Sequence, residues 1–308
     1  MRHRHLCSFS LALALCSACV GTAERVDHPA VPQRTEAAEV RAFDGHTGQA
    51  LTSAEVVARL RAADAVLFGE LHGHPVGLPT VASLFEEAVE HEPAAALALE
   101  FLTRETQHLV DAYLADLIDY AGLLEATATI AGSSPADHRP MIETAKAAGL
   151  PVLAANSPRL YTRTASKQGY GRLVELGASQ RALFDVPSPM PSGPYEDGFY
   201  ELMASHRGGL GEDGPNDALR GSFRAQSLWD GTMAATVARA LSRGHQPVFL
   251  VVGQYHCDHD GGTLQVLRHL RPDAEIVVAS VAPTWSDELL EEDLGRADVI
   301  LYVGPFGD

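Results

Sequence analysis

Cysteine is scarce in this 308-residue chain: three of the four, Cys7, Cys16 and Cys19, crowd into the first nineteen residues, and only Cys257 lies beyond them. Once the first segment is removed and Cys19 modified, no intramolecular disulfide can form. Stability then has to come from a buried core, which a chain of this length can build. Basic residues are few as well. There are 23 Lys and Arg against 40 Asp and Glu, a formal net charge of -17. Losing the first eighteen residues, which carry Arg2 and Arg4 and no acid, leaves 21 basic against 40 acidic residues, or -19. That balance argues against nucleic acid, whose binding needs clustered cations to displace counterions. It leaves room for a small anionic ligand held by one or two local arginines. Aromatics make up only 6% of the chain, and no internal repeat of fixed period occurs.

The apolar run over residues 6–15 has the length of a secretory h-region and is too short to span a bilayer as a helix. A basic start, Arg2-His3-Arg4-His5, precedes it, and Cys16-Ser17-Ala18-Cys19 ends it. Small residues before a cysteine resemble a bacterial lipobox, with cleavage before Cys19 and lipid on its sulfur. The alternative is simple secretion with cleavage near residues 21–23. Two acyl chains on one thioether would hold the protein to a membrane durably. Val20 lacks the aspartate associated with inner-membrane retention, which favours the outer membrane. Residues 1–18 are therefore expected as a signal peptide, 19–47 as a polar tether with Pro29 and Pro32, and 48–308 as one domain.

Within that domain, continuously apolar segments alternate with amphipathic ones. Strands are expected near 65–68, 94–99, 150–155, 248–252, 275–281 and 299–303, and the main helices near 52–60, 78–91, 103–117, 123–130, 138–148, 223–243 and 263–270, with a short one near 287–294. Thr52-Ser53-Ala54-Glu55 has the spacing of a capping box. Strands of this kind alternating with helices imply an α/β fold with a mainly parallel sheet covered on both faces. The stretch at about 160–215 is rich in Gly, Pro and Ser and reads as a helical, irregular insertion.

Two of these strands run into the same tetrapeptide shape, Gly-x-x-His: Gly69-Glu70-Leu71-His72 and Gly253-Gln254-Tyr255-His256. A third ends in Glu100. Open parallel sheets bind ligands just beyond the carboxyl ends of their strands, so Glu70, His72, Glu100 and His256 could converge on one polar site. Imidazole and carboxylate together suit a catalytic divalent ion such as Zn, Mn or Fe; a lone Gly-x-x-His more often marks only a turn with a hydrogen-bonded histidine. His74 and His259, each close behind a motif histidine, could line the same cavity. Asn156-Ser157-Pro158-Arg159 brings an amide and a guanidinium to another strand end, for anion capture or for a surface ion pair. Gln226, Trp229 and Asp230 share one helix face.

These motifs, with Leu67 to His72, Ala98-Leu99-Glu100-Phe101, Ala154 to Arg159, Ala225 to Ala234 and Val251 to His256 in this order, resemble the ChaN-like haem-binding lipoprotein family. That family shares a superfamily with the Tiki metalloproteases and erythromycin-esterase-like proteins. The resemblance covers about residues 50–282. It implies a lipid-anchored envelope protein for haem or iron uptake, facing the periplasm or the cell surface. It also implies a homodimer holding two haems face to face, with tyrosine on the iron. This chain departs from relatives that read Tyr-Arg-Pro, having His138-Arg139-Pro140 instead. His138 thus becomes a candidate iron ligand, with Tyr255, Tyr161 and Tyr170 as others. Arg159 or Arg139 would meet the propionates, and Asn156, Gln226 and Asp230 would border the cofactor. The hydrolytic relatives imply the alternative: a metal-dependent hydrolase of ester or peptide bonds using Glu70, His72, Glu100 and His256.

Overall fold

Segments such as Ala65-Val66-Leu67-Phe68 show no polar alternation, so both faces of the strands they form must be covered. The computed structural model, which describes residues 40–212 and 214–306, has that arrangement. In chain order its elements are β1 (Arg41–Asp44), β2 (Ala50–Leu51), α1 (Ser53–Ala62), β3 (Ala65–Glu70), α2 (Gly77–Val89), β4 (Ala96–Thr103), α3 (Gln107–Leu114), α4 (Tyr120–Thr127), α5 (Arg139–Ala147), β5 (Val152–Asn156), α6 (Arg159–Gln168), α7 (Tyr170–Val174), α8 (Ala178–Arg181), α9 (Pro194–Arg207), β6 (Leu210–Gly211), β7 (Gly214–Pro215), α10 (Asp217–Ser242), β8 (Val248–Gly253), α11 (Gly262–Leu270), β9 (Ile276–Ala282) and β10 (Val299–Tyr302).

Eight of these strands form one sheet in the order β2-β1-β10-β9-β3-β8-β4-β5. The six expected from the apolar runs all pair in parallel, from β10 across to β5. Neighbouring residues of β3 point to opposite faces. Val66 and Phe68 join a core with Phe85, Leu97, Phe249 and Val251, while Ala65 and Leu67 join one with Met233, Val237, Leu250 and Leu264. Helices α1, α2 and α5 thereby cover one face, and α10 and α11 the other.

The long helix α10 carries both the sheet and the insertion. Asn216 caps it by accepting from the Leu219 amide at 2.9 Å, which starts the helix six residues earlier than the apolar pattern indicates. Its far side packs Leu228 against Tyr161 and Phe184, and Phe223 against Tyr195 and Phe199. Arg104, buried behind β4, ties the insertion down through Asp185 at 2.6 Å and the Thr232 carbonyl at 2.7 Å. Gly221 and Gly231 permit this close approach: a methyl group at either would meet the Ser166 carbonyl oxygen at 2.6 Å or the Asp185 carbonyl oxygen at 2.8 Å.

Two expectations need correction. The tether does not extend to residue 47, because Arg41–Asp44 is a sheet strand antiparallel to β10. Its cause is Phe43, which is buried against Tyr302 with ring centroids 5.1 Å apart. The short helix near 287–294 reduces to a single 3-10 turn, Glu291–Asp293. The signal segment 1–18, Cys19 and the tether up to residue 39 lie outside the described residues. Among the described residues, no helix is long and apolar enough to cross a membrane.

Candidate functional site

The register of β3 on β8 sets Glu70 beside Gly253, so the two Gly-x-x-His loops leave the sheet at one level. Glu70 is 2% exposed. Its carboxylate can only accept, and it takes one N–H on each oxygen: His72 Nδ1 at 2.9 Å on Oε1 and His138 Nε2 at 2.8 Å on Oε2. Burial pushes this carboxyl up, but the two histidines outweigh burial and hold it below its usual range. Phe101, just past Glu100, fills the space between the histidines, stacked on His138 at 4.7 Å and edge-on to His72 at 4.9 Å. His138 Nδ1 is buried with no hydrogen-bond partner. With Nε2–H donating to Glu70, that orphan is a bare lone pair, which is less costly to bury than an unmatched donor.

A second pair lies one strand away. His256 Nδ1 meets Asp230 Oδ1 at 2.6 Å, and Asp230 also accepts from Thr263 at 2.8 Å and from the Tyr195 hydroxyl at 2.8 Å. His256 Nε2 stands 3.6 Å from Glu100 Oε1, and the Gln226 amide nitrogen lies 3.4 Å from the ring nitrogens. Burial pulls the His256 imidazole down, yet Asp230 and then Glu100 override it and raise it to about 9. The other Glu100 oxygen accepts from the Gly253 amide at 2.7 Å. Gly253 leaves room for His72, whose Cε1 and Nε2 would lie 3.0 and 3.1 Å from a methyl group there. The His72 imidazole is raised, chiefly by its hydrogen bond to Glu70 and further by Glu100. Three histidines and three carboxylates thus alternate along the strand ends.

The four residues expected as a metal centre do come together, but as hydrogen-bonded pairs. No group of three or more His, Cys, Asp or Glu side chains among the described residues is placed to hold a metal ion. The physical reason is that the Glu70 oxygens are taken by His72 and His138 and His256 Nδ1 by Asp230, so these atoms do not face a common centre.

Beside the pairs open two clefts that share Arg159 and Trp229. One, of about 420 Å³, is lined by His72, Glu100, Phe101, Asn156 and Arg159, with hydroxyls from Thr103 and Ser133. The other, of about 290 Å³, adds Arg163, Phe199, Met203 and Gln226. Neither Arg159 nor Arg163 has a carboxylate partner among the described residues; Arg159 lies over the Trp229 ring at 5.9 Å. Arg163 was not singled out in the sequence, although a helix opening at Arg159 places it one turn on.

The remaining expectations divide. Asn156 lines the first cleft, with its side-chain oxygen accepting the Ser157 amide at 2.8 Å. Tyr255 faces a separate cleft of about 320 Å³ with Tyr195, Asp258, His259 and Arg296. His259 therefore does not line the His72 cleft. His74 is 1% exposed and structural: Nδ1 accepts the Val76 and Gly77 amides at 3.2 and 3.0 Å, capping α2, while Nε2 donates to the Gly304 carbonyl at 2.9 Å. Arg139 points elsewhere, over the Tyr120 ring and to Glu143. Phenols are disfavoured as anions. Burial raises Tyr161, pushes Tyr195 well up and, with Asp230, lifts Tyr255 to about 12.

A mostly parallel eight-stranded sheet covered by helices on both faces, with acid–imidazole pairs beyond its strand ends, defines an α/β protein of the open-sheet class. The chain belongs to the family described as "Haem-binding uptake, Tiki superfamily, ChaN", whose sequence model matches residues 56–267. Among solved structures it is similar to ChaN of Campylobacter jejuni, described with cofacial haem binding, at 16% identity over 85% of this chain and 96% of that one, TM-score 0.63. The type III effector HopBA1 aligns at 15% identity over 88% of this chain and 99% of that one, TM-score 0.46. A mutant erythromycin esterase, EreC, in its open conformation aligns at 14% identity over 86% and 83%, TM-score 0.40. No curated protein matches the sequence. The likeness to ChaN of Campylobacter jejuni is one of fold. Haem binding is the property its family description names, and the donors present fit it. The His72 imidazole and the Arg159 guanidinium line one cleft, and Arg163 lines the adjoining one.

Proposed function

We propose that this protein binds haem in the paired clefts beside the strand ends and serves haem or iron uptake in a bacterial envelope. The observation that carries the reading is the Arg159–Arg163 pair, two cations without carboxylate partners among the described residues of a strongly acidic chain, one turn apart on α6, with Arg159 lining the same cleft as His72 and Arg163 the adjoining one. Haem presents two propionates, and Arg is suited to carboxylate capture. Trp229, Phe199, Met203 and Phe101 supply apolar contact for a planar ring. Bound there, haem would supply an iron centre; the chain's part is to hold its propionates, cover its faces and present a donor. A hemin titration of the full chain followed by absorbance, with elemental analysis of the same sample, tests this. Saturable binding at one or two haems per chain supports it, and absence of saturable binding refutes it. Arg159→Ala and Arg163→Ala should each weaken binding roughly tenfold, since a charge-assisted hydrogen bond contributes about 1.5–3 kcal/mol.

Membrane attachment is proposed through lipid on Cys19, with the outer membrane as its site. Incorporation of labelled palmitate that disappears in Cys19→Ala supports the anchor; labelling that survives the substitution removes it. A homodimer formed on haem binding is part of the same reading and is read out by sedimentation with and without hemin.

One observation favours a second reading, hydrolysis of an ester or amide. Glu100 stands 3.6 Å from the imidazole of His256 and beside the ring of His72, an acid–base set open to the cleft. With no metal ligand set among the described residues, His72 would act as general base. Ester turnover abolished in Glu100→Gln would support this reading.

A further inference from the structure

We propose that His72, through Nε2, is the axial ligand to the haem iron, and that Glu70 and His138 are the positioning residues that aim it; this rests on the haem-binding reading above. The inference follows from which donors are free. His256 is buried and holds Asp230 through Nδ1, with Gln226 against its ring. His138 is 2% exposed, is bound to Glu70 through Nε2 and keeps Nδ1 sealed beneath Phe101. The tyrosines around the clefts are committed too. Tyr170 donates to the Arg224 carbonyl, Tyr195 to Asp230, and Tyr255 to the Tyr195 carbonyl. Tyr161 is buried against Phe184.

His72 alone among these has an uncommitted ring nitrogen on an open surface. Its side chain is 59% exposed, its Nδ1–H is fixed on Glu70, Nε2 has no hydrogen bond among the described residues, and the residue lines the cleft that Arg159 also lines. This is the arrangement in which a metal-bound imidazole is held. The far nitrogen donates to a carboxylate, which sets the tautomer and raises the basicity of the near one. His138 completes it by occupying the other Glu70 oxygen, so the carboxylate cannot rotate away. The histidine grips Glu70 from behind instead of reaching the iron.

The test is a hemin titration of the full-length wild-type chain and of His72→Ala, His72→Gln, His138→Ala and Tyr255→Phe. Each is checked by circular dichroism and read by absorbance and electron paramagnetic resonance. Wild type should show histidine-ligated ferric haem. His72→Ala and His72→Gln should lose that signature and bind roughly tenfold or more weakly, with added imidazole restoring the spectrum. Tyr255→Phe should match wild type. His138→Ala should keep histidine ligation, broadened as the ligand loses its fixed orientation. Glu70→Gln should keep it as well but raise the haem reduction potential, because the imidazole loses its anionic partner; a merely structural role would leave the potential unmoved. Should wild type bind hemin saturably while both His72 variants give an unchanged spectrum, the ligand assignment is overturned and the haem-binding reading stands. If wild type shows no saturable binding, that reading fails and the assignment with it.

Discussion

Replacing Asp230 by Asn changes the charge of the buried strand-end network with almost no change of shape. Asp230 has no exposed surface and receives three donors, from His256, Thr263 and Tyr195. An Asn with its oxygen toward His256 and Thr263 turns its NH2 toward the Tyr195 hydroxyl, whose oxygen already accepts from Gln226 at 3.2 Å and whose O–H loses its acceptor. One hydrogen bond is lost at any pH, and with it the ionic partner of His256. The imidazole, raised to about 9 by Asp230 and Glu100 against the pull of burial, should titrate near or below its ordinary value of about 6.5. The gap between about 9 and that value corresponds to roughly 3 kcal/mol of preference for the protonated ring, and Asp230 supplies the larger share. The folded-state value lies above the unfolded one, so this stabilisation is complete below about pH 6.5, declines through about 9 and is gone above it. Urea denaturation should accordingly show Asp230→Asn less stable by roughly 2–4 kcal/mol at about pH 6, with the gap to wild type narrowing toward about pH 10. Imidazole NMR should show the lowered titration directly. A His256 that still titrates near 9 in the variant, or a stability gap as wide at about pH 10 as at about pH 6, would refute the reasoning.

Gly221→Ala gains about 1 kcal/mol of helix propensity but drives a methyl group to 2.6 Å from the Ser166 carbonyl oxygen; thermal unfolding should report a net loss of about 1–2 kcal/mol. In Thr52→Ala the side-chain half of the capping box disappears, Glu55 N–H to Thr52 Oγ1 at 3.3 Å together with the Thr52 hydroxyl to Glu55 at 2.7 Å, while the backbone N–H of residue 52 still reaches Glu55; denaturation should show a loss of about 1 kcal/mol. The Cys257 thiol is fully buried, and burial with Asp258 alongside pushes it well up. A maleimide should label it only in denaturant, and labelling of the native protein at the rate of a free thiol would contradict its placement.

The sheet was legible because its six parallel strands are continuously apolar, and a residue run that cannot face water on either side has few other places to go. Thr52 and Glu55 were legible for the same local reason, since a capping box is decided within four residues. Phe43 was not. A four-residue edge strand after a polar stretch carries one apolar anchor, and its partner, Tyr302, lies at the other end of the chain. The site shows the same division. That Glu70, His72, Glu100 and His256 meet follows from strand ends sharing one edge of a parallel sheet. How they pair does not, because the partners that decide it come from elsewhere: His138 from the turn before α5, Asp230 from the middle of α10, and Tyr195 from the insertion. Sequence spacing can propose a ligand set, but it cannot show that both Glu70 oxygens already have an N–H on them.

That pairing bears on why a binding protein would keep six ionisable groups at one strand edge. Unpaired, buried carboxylates would be strongly destabilising; paired with imidazoles, each fixes the tautomer of its neighbour. Four of the six, Glu70, His138, His256 and Asp230, are buried, and they use their hydrogen bonds on one another or on His72, Thr263 and Tyr195. What remains beside the cleft is one imidazole nitrogen on His72, the Glu100 carboxylate and the Arg159 guanidinium. A network whose buried members are nearly all satisfied, and which leaves one imidazole nitrogen free in the cleft that Arg159 lines, is what the proposed haem-binding role asks of this edge. The same set would be over-built for a surface that only closes a fold.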